Sequence, residues 1–312
     1  MADEQWERGV IERLATEGLR EQRRARRWGI FFKLLTFTFL IIALSIVLGA
    51  LSEGSYSCLD KCTALVEMRG ELDADGPVSA DNVMAGLQAA FKSKGTQGVV
   101  LRINSPGGSP VQAGLINDEI RRLRAKYPAT PVYAVVEEVC ASGAYYVAVA
   151  TDKIYVDKAS LIGSIGVIID GFGFVGAMDK LGIERRALIA GENKAFLDPF
   201  SPMTPQQRAY AQEMIGEIHQ QFIAAVKTGR GTRLKESPEL FSGLVWNGAR
   251  GIDLGLADAL GSVDFVAREV IKAEDIVDFT VKENLTERLT RKFGAELARG
   301  VLSTAQRSLH WR

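Results

Sequence analysis

Residues 29–51, GIFFKLLTFTFLIIALSIVLGAL, carry one charge, Lys33, and their large apolar side chains leave no polar stripe at helical spacing. At 1.5 Å per residue such a run covers roughly 30 Å of hydrocarbon, which predicts one membrane-spanning helix with Lys33 close enough to one end to snorkel. The pattern then changes to short segments. KCTALVEMRGEL predicts a strand, a Gly/Asp/Pro turn follows at 71–78, and residues 80–93 predict a helix with Val83, Leu87 and Phe91 on one side. GVVLRI at 98–103 is apolar at nearly every position, as a central parallel strand requires.

The loop NSPGGSP leads into an amphipathic helix over 111–126, then a strand VYAVV at 132–136 and a small-residue helical run beginning near Ser142. Beyond Ala150 the spacing predicts short strands at 153–157 and 165–169, a helix near 174–181 and an extended run at 183–189. A long helix is expected over 204–227, with Thr204 as cap and Pro205 in its first turn, followed by two short glycine-punctuated helices. Strand, loop and helix in repeated order describe an α/β domain of parallel crossover units, whose functional loops lie at the carboxyl ends of the strands. The expected organisation is a basic segment at 1–28, an anchor at 29–51, a linker at 52–62, a folded domain at 63–282 and an amphipathic segment or tail at 283–312.

Charge refines this picture. Lys plus Arg and Asp plus Glu both total 38, so nucleic acid is not an expected partner. The local balance is uneven: Arg20, Arg23, Arg24, Arg26 and Arg27 precede the apolar run, and residues 52–62 have no comparable cluster. The positive-inside bias places the N-terminus in the cytoplasm and the remaining chain across the membrane, and the long basic preface favours an uncleaved anchor over a removable signal peptide. Cys58 and Cys62 lie just past the span, where either a disulfide or two free thiols fits, and Cys140 lies in an apolar context. With His219 and His310 far apart, three cysteines make no zinc cluster, and neither metal nor cofactor is expected. The chain has no G-x-x-x-x-G-K-[ST] phosphate loop, which argues against an ATP-driven machine.

The stretch VEEVCASGAYYV contains the first candidate chemistry. Ser142 stands where a strand gives way to a helix, among small neighbours that admit a substrate backbone; read locally, an ordinary N-cap serine fits as well. A serine nucleophile needs a base. His219 lies among aliphatic side chains, His310 is near the chain end, and the surroundings of Ser142 are not G-x-S-x-G. Lys194, in IAGENKAFLDPF, has small, aromatic and proline neighbours that permit burial, and a lysine base must titrate well below its ordinary value of about 10.4. Cys140 is a rival nucleophile without a basic partner, and the glycines of NSPGGSP can aim backbone N–H groups at a developing oxyanion.

Four ordered motifs, RINSPGG, ASGAYYVAVATDKIYVDKASLIGSIGV, AGENKAFLDPFSPMTPQQR and GLVWNGARGIDLGLADALG, resemble the short form of signal peptide peptidase A, a membrane-anchored serine protease family. The resemblance covers about residues 64–280 and implies a core like that of the Clp protease subunit and crotonase. It implies Ser142 as nucleophile, Lys194 as general base, Ser164 as the residue orienting the lysine, and the N–H groups of Gly107 and Gly143 as the oxyanion pair. Ala144, where many relatives have a different small residue, implies a narrower adjoining pocket. The implied substrates are signal-peptide remnants and apolar or misfolded chains, cut beside a bacterial inner membrane by a homo-oligomeric ring or dome with its catalytic domain outside the cytoplasm. A crotonase-like acyl-group enzyme and a catalytically silent membrane scaffold are the alternatives.

Overall fold

The computed structural model describes residue 24, Arg26–Ser45, residue 58 and residues 60–281. Helix α1, Arg26–Ser45, has a mean hydropathy of 1.9 and no buried face, so every side of it demands apolar surroundings. It starts three residues before the expected anchor, and residues 46–51 of that anchor lie outside the described residues, as do most of 1–28 and all of 283–312. Trp28, Phe31 and Phe32 pack ring to ring at its first turn, and the Thr36 hydroxyl donates to the Phe32 carbonyl at 2.8 Å, which satisfies its polar group within the helix. One long apolar helix is consistent with a single membrane-anchoring segment.

A separate compact unit spans Tyr56–Glu283. Its entrance is clasped: Cys58 and Cys62 form a disulfide, the Cys58 N–H donates to Ser93 Oγ at 3.1 Å, and the Cys62 N–H donates to the Gly95 carbonyl at 3.1 Å. From there run β1 (Cys62–Arg69), α2 (Ala80–Lys92), β2 (Thr96–Ser105), α3 (Pro110–Lys126) and β3 (Val132–Ala141). β1, β2 and β3 are adjacent and parallel, with Leu101 and Ile103 of β2 fully buried, as the unbroken apolar run requires. The helices start at side-chain caps: Ser79 accepts from the Asn82 N–H and Ser109 from the Gln112 N–H.

β3 runs five residues further than its apolar core predicts. Its first half pairs with β4 (Lys153–Val156) and its second half with β5 (Leu161–Gly163), so the sheet forks along one strand. Glu137 occupies the fork, where Arg69 and Arg102 pair with its carboxylate and the Ser160 hydroxyl donates to its carbonyl. These ion pairs let Glu137 lie inside the strand, while Glu138 beside it is exposed. The strand expected at 165–169 forms instead at Leu161–Gly163; residues 165–169 have no regular structure, because Ile168 and Ile169 find no core and are 81% and 44% exposed. The run at 183–189 is likewise exposed and irregular.

After α5 (Val175–Leu181) comes the long α6 (Pro205–Arg230), opened by Thr204 and Gln207 in a reciprocal capping box with Pro205 in the first turn. β6 (Val245–Asn247) pairs antiparallel with β5, and α7 (Gly248–Asp253) leads to β7 (Ala259–Leu260), which pairs with β4. A helical segment, α8 (Val263–Phe265) continuing to Ile271, precedes β8 (Ile276–Asp278) beside β1. The result, among the described residues, is an α/β unit with an eight-stranded mixed sheet in which only the β5–β6 pair is antiparallel.

The end of α6 is locked to this sheet by a buried ion pair. Arg230, 1% exposed, donates to both oxygens of Asp258 at 2.8 and 3.0 Å and to the Gly255 carbonyl, and Arg233 adds a third bond to Asp258. Burial pushes the Asp258 carboxyl up, but bonds from Arg230 and the Ile154 N–H, with the charges of both arginines, hold it below the usual range. Its stabilisation is therefore complete above the unfolded carboxylate pKa of about 3.9 and disappears as pH falls through the lower folded value. Asp258→Asn, which leaves a buried guanidinium uncompensated, is expected to lower unfolding free energy by about 3–5 kcal/mol at pH 7. Chemical denaturation should show that difference constant near neutrality and shrinking below about pH 4.

Candidate active site

The two strand partners of the fork bring the site together. Ala141, the last residue of β3, lies opposite Gly163, the last of β5, so Ser142 and Ser164 emerge side by side from neighbouring strand ends. The chain turns sharply at Ser142 into α4 (Gly143–Ala148): φ is 52° and ψ is −126°, outside the regions an L-residue ordinarily occupies. Such a conformation costs on the order of 1–3 kcal/mol and persists only where its surroundings impose it. Here the Ser142 N–H donates to the Gly163 carbonyl at 2.8 Å, and the Ser142 carbonyl accepts from the Tyr146 N–H at 3.0 Å. Ser164, also at positive φ (50°), is fixed through its N–H to the Leu244 carbonyl at 2.8 Å.

Ser142 is not an ordinary cap. Its side chain makes no capping hydrogen bond, and it lines a cavity of about 640 Å³ together with Gly108, Gly143 and Tyr146. Small residues at 141–144 permit this turn to be crowded from the other side by the Pro-Gly-Gly loop. Gly107 has φ +104°, and a Cβ there would stand 2.8 Å from the Ala141 carbonyl oxygen, the Gly143 nitrogen and Ser142 Cβ. Only glycine supplies both that backbone and that approach. The Gly143 N–H is a first-turn donor of α4 with no helical carbonyl before it. The Gly107 N–H donates to buried Ser105 Oγ at 3.2 Å, while Gly108 is the loop glycine on the cavity wall.

Lys194 is placed differently. It is exposed in a turn-rich stretch over 190–197, its N–H donating to the Gly191 carbonyl at 3.0 Å, and it does not line the Ser142 cavity. That stretch packs against the start of α6 through Phe196 and Tyr210, and nearby Arg185 pairs with Asp198 and lies over the Phe200 ring. The segment between β5 and α6 therefore holds its own small cluster while exposing Ile168, Phe172 and Leu188. Ser142, Gly143, Gly107 and Ser164 are brought together; Lys194 stands apart from them within one chain.

The other nucleophile and bases are accounted for. Cys140 is fully buried, and burial drives its thiol far above its ordinary range, which keeps it protonated and unreactive. His219 shares a hydrogen bond of 3.1 Å with the Ile165 carbonyl and is outside the cavity; His310 lies outside the described residues. Among the described residues no group of His, Cys, Asp and Glu side chains is arranged to hold a metal ion. The strained backbone at Ser142 and Ser164 was not legible in sequence, although the run of small residues around Ser142 was its only visible trace.

Residues 124–277 match peptidase family S49. The matched span contains Ser142, Ser164 and Lys194 and begins after the Pro-Gly-Gly loop. Among S49-related and other similar proteins, a chain named Na(+)/H(+) antiporter NhaA from Brucella melitensis biotype 1 is 45% identical over 177 residues, 57% of this chain and 24% of that one. A candidate protease from Methanocaldococcus jannaschii is 32% identical, covering 62% of this chain and 63% of its own. A candidate signal peptide peptidase from Enterococcus faecium is 29% identical, covering 65% and 58%. The chain thus spans about a quarter of the antiporter and under two thirds of the other two.

Two substitutions test how the Ser142 site is held. Gly107→Ala forces backbone apart beside Ser142 and should reduce any Ser142-dependent activity by about 10²-fold or more. Ser142→Gly relieves the positive-φ penalty and should raise the melting temperature by about 2–4 °C, near 1 kcal/mol for a domain of this size, while removing the hydroxyl. Differential scanning calorimetry of wild type and Ser142→Gly checks this, an unchanged or lower melting temperature being the contrary result.

Proposed function

We propose that this chain is a membrane-anchored serine endopeptidase of the signal peptide peptidase A type, with a core of the Clp protease and crotonase kind. The observation that carries the reading is Ser142, uncapped and strained at the joint of β3 and α4, facing a cavity beside a glycine loop. The S49 match and the protease names of several relatives support a general protease activity.

Neutral Lys194 takes the Ser142 proton as Oγ bonds to the peptide carbonyl carbon. The carbonyl oxygen becomes an oxyanion held by the Gly143 N–H and by the Gly107 N–H, which exchanges Ser105 Oγ for substrate. The lysinium then gives its proton to the departing amine as the C–N bond breaks, and water, deprotonated by the same lysine, releases the acyl group and restores the serine. Ser164, beside Ser142 at the strand ends, orients the amine.

Because Lys194 is exposed and away from the Ser142 cavity, the dyad is completed between neighbouring copies, and the apolar surface of the segment over 166–204 supplies their contact. An amine covered by protein loses water and is more readily neutral. A closed assembly admits extended apolar chains, such as signal-peptide remnants, and keeps folded proteins out. The Cys58–Cys62 disulfide fits an oxidising compartment, and the arginines at the start of α1 fit a cytoplasmic N-terminus in the bacterial inner membrane.

Cleavage of fluorogenic apolar peptides by detergent-purified protein tests the reading. Ser142→Ala and Lys194→Ala should each lose at least about 10³-fold in kcat/KM without disassembly, and Cys140→Ala should remain active. Assemblies mixed from the two inactive variants should regain activity. Undiminished cleavage by either variant refutes the dyad, and failure of mixed assemblies refutes its sharing between copies.

A further inference from the structure

The cavity at Ser142 is not uniformly apolar. Val111, Leu115, Ile168, Ile218 and Phe222 make its walls, and one carboxylate, Asp118, stands among them. Asp118 is the only charged side chain lining this cavity, and no ion pair to it forms among the described residues.

Its position relative to the nucleophile follows from how α3 and α4 lie together. A Cβ on Gly143 would be 3.4 Å from Ala113 Cβ, and the Asn117 side chain donates to the Tyr146 carbonyl at 2.6 Å, so the two helices run alongside from the serine outward. Asp118 is five residues beyond Ala113, about 7.5 Å of helix rise. Pro110, Gly114 and Asp118 recur on one face of α3, and that face floors the cavity. Arg121, three residues further along the helix, donates its Nε to Asn117 Oδ1 at 2.7 Å and forms no ion pair with Asp118. The negative charge is felt inside: burial first, then Asp118, push the Tyr146 phenol above its ordinary range, against a smaller opposing effect of Arg121. Apolar walls next to the reacting serine with an unpaired carboxylate at the far rim complement a long side chain that has a methylene stem and a cationic head.

We infer that this cavity is a substrate subsite for lysine or arginine at the residue whose carbonyl Ser142 attacks, with Asp118 as its specificity determinant. The inference rests on the proteolytic reading of Ser142. It changes the substrate class from purely apolar chains to apolar chains punctuated by basic residues. Val111 and Leu115 cover the stem, and Asp118 meets the head in partly hydrated surroundings, so the preference is moderate and sensitive to salt.

The test uses the assembled, detergent-purified full chain and peptidyl-coumarin substrates that differ only in the last residue: norleucine, lysine or glutamate. Norleucine and lysine have similar stems, so the ratio of their kcat/KM values isolates the head group, and a general loss of activity cancels within each enzyme. Wild type should prefer lysine to norleucine; Asp118→Asn should lower that ratio about two- to fivefold. Asp118→Lys should favour glutamate over lysine, and added salt should compress the wild-type preference. An identical ratio in wild type and Asp118→Asn, with cleavage still abolished by Ser142→Ala, overturns the subsite and leaves the protease standing. Cleavage that survives Ser142→Ala, or no cleavage of any peptide by wild type, overturns both.

Discussion

Ser142 keeps a backbone conformation that L-residues avoid because the ends of β3 and β5 hold it there, its N–H donating to the Gly163 carbonyl at 2.8 Å. Everything around the candidate site follows from this constraint. It sets the hydroxyl out from the sheet instead of onto the helix start, it leaves the first-turn N–H groups of α4 open, and it requires that whatever packs behind the turn be small. The glycine loop at 106–108 and the short side chains at 141–144 are two halves of one steric condition. The fork in the sheet is what makes a second strand end available at that height, so the ion-paired Glu137 and the hydroxyl of Ser160, well away from the cavity, contribute to where the serine points.

The far wall of the cavity comes from a different part of the chain. α6 contributes Ile218 and Phe222, and its end is fixed by Arg230 inside the unit. Tyr145, fully buried in α4, donates its hydroxyl to the Leu256 carbonyl, in the same turn region that Arg230 grips through the Gly255 carbonyl. The helix carrying the nucleophile and the helix closing the cavity are thus referred to one stretch of backbone, 255–258. A rigid cavity needs such a shared reference, since either helix moving alone would open it.

Much of this was legible in the chain. The continuous apolar run of β2, the capped start of α6 and the position of α1 are local patterns, and local patterns survive folding when the core they imply is the core that forms. The strand expected at 165–169 fails for the opposite reason: IGVII is as apolar as a buried strand, but only Ile165 enters the core, and Ile168 and Ile169 are exposed. Glu137 and Glu138 hide the second half of β3, because the Glu137 charge is satisfied by arginines distant in sequence and Glu138 is exposed. Ser142, Gly107 and Gly143 were found as motif residues, yet their mutual contact rests on strand register, which no single segment encodes. Lys194 stands out as a candidate base through its small, aromatic and proline neighbours, which permit burial, yet within one copy of the chain it is exposed.

The clasp at the entrance of the unit and the thiol beside the nucleophile stand in contrasting states. The chain has three cysteines: Cys58 and Cys62 are joined to each other, and Cys140 is sealed in the centre of the sheet. Thiol–disulfide exchange needs a thiolate that can reach a sulfur, and the fold denies Cys140 both ionisation and access. The native pairing is therefore guarded by packing for as long as β3 stays covered. Once the sheet opens, the same cysteine becomes the attacking group, and a mispaired bridge to Cys58 or Cys62 would keep a chemical record that the nucleophile's own strand had been exposed.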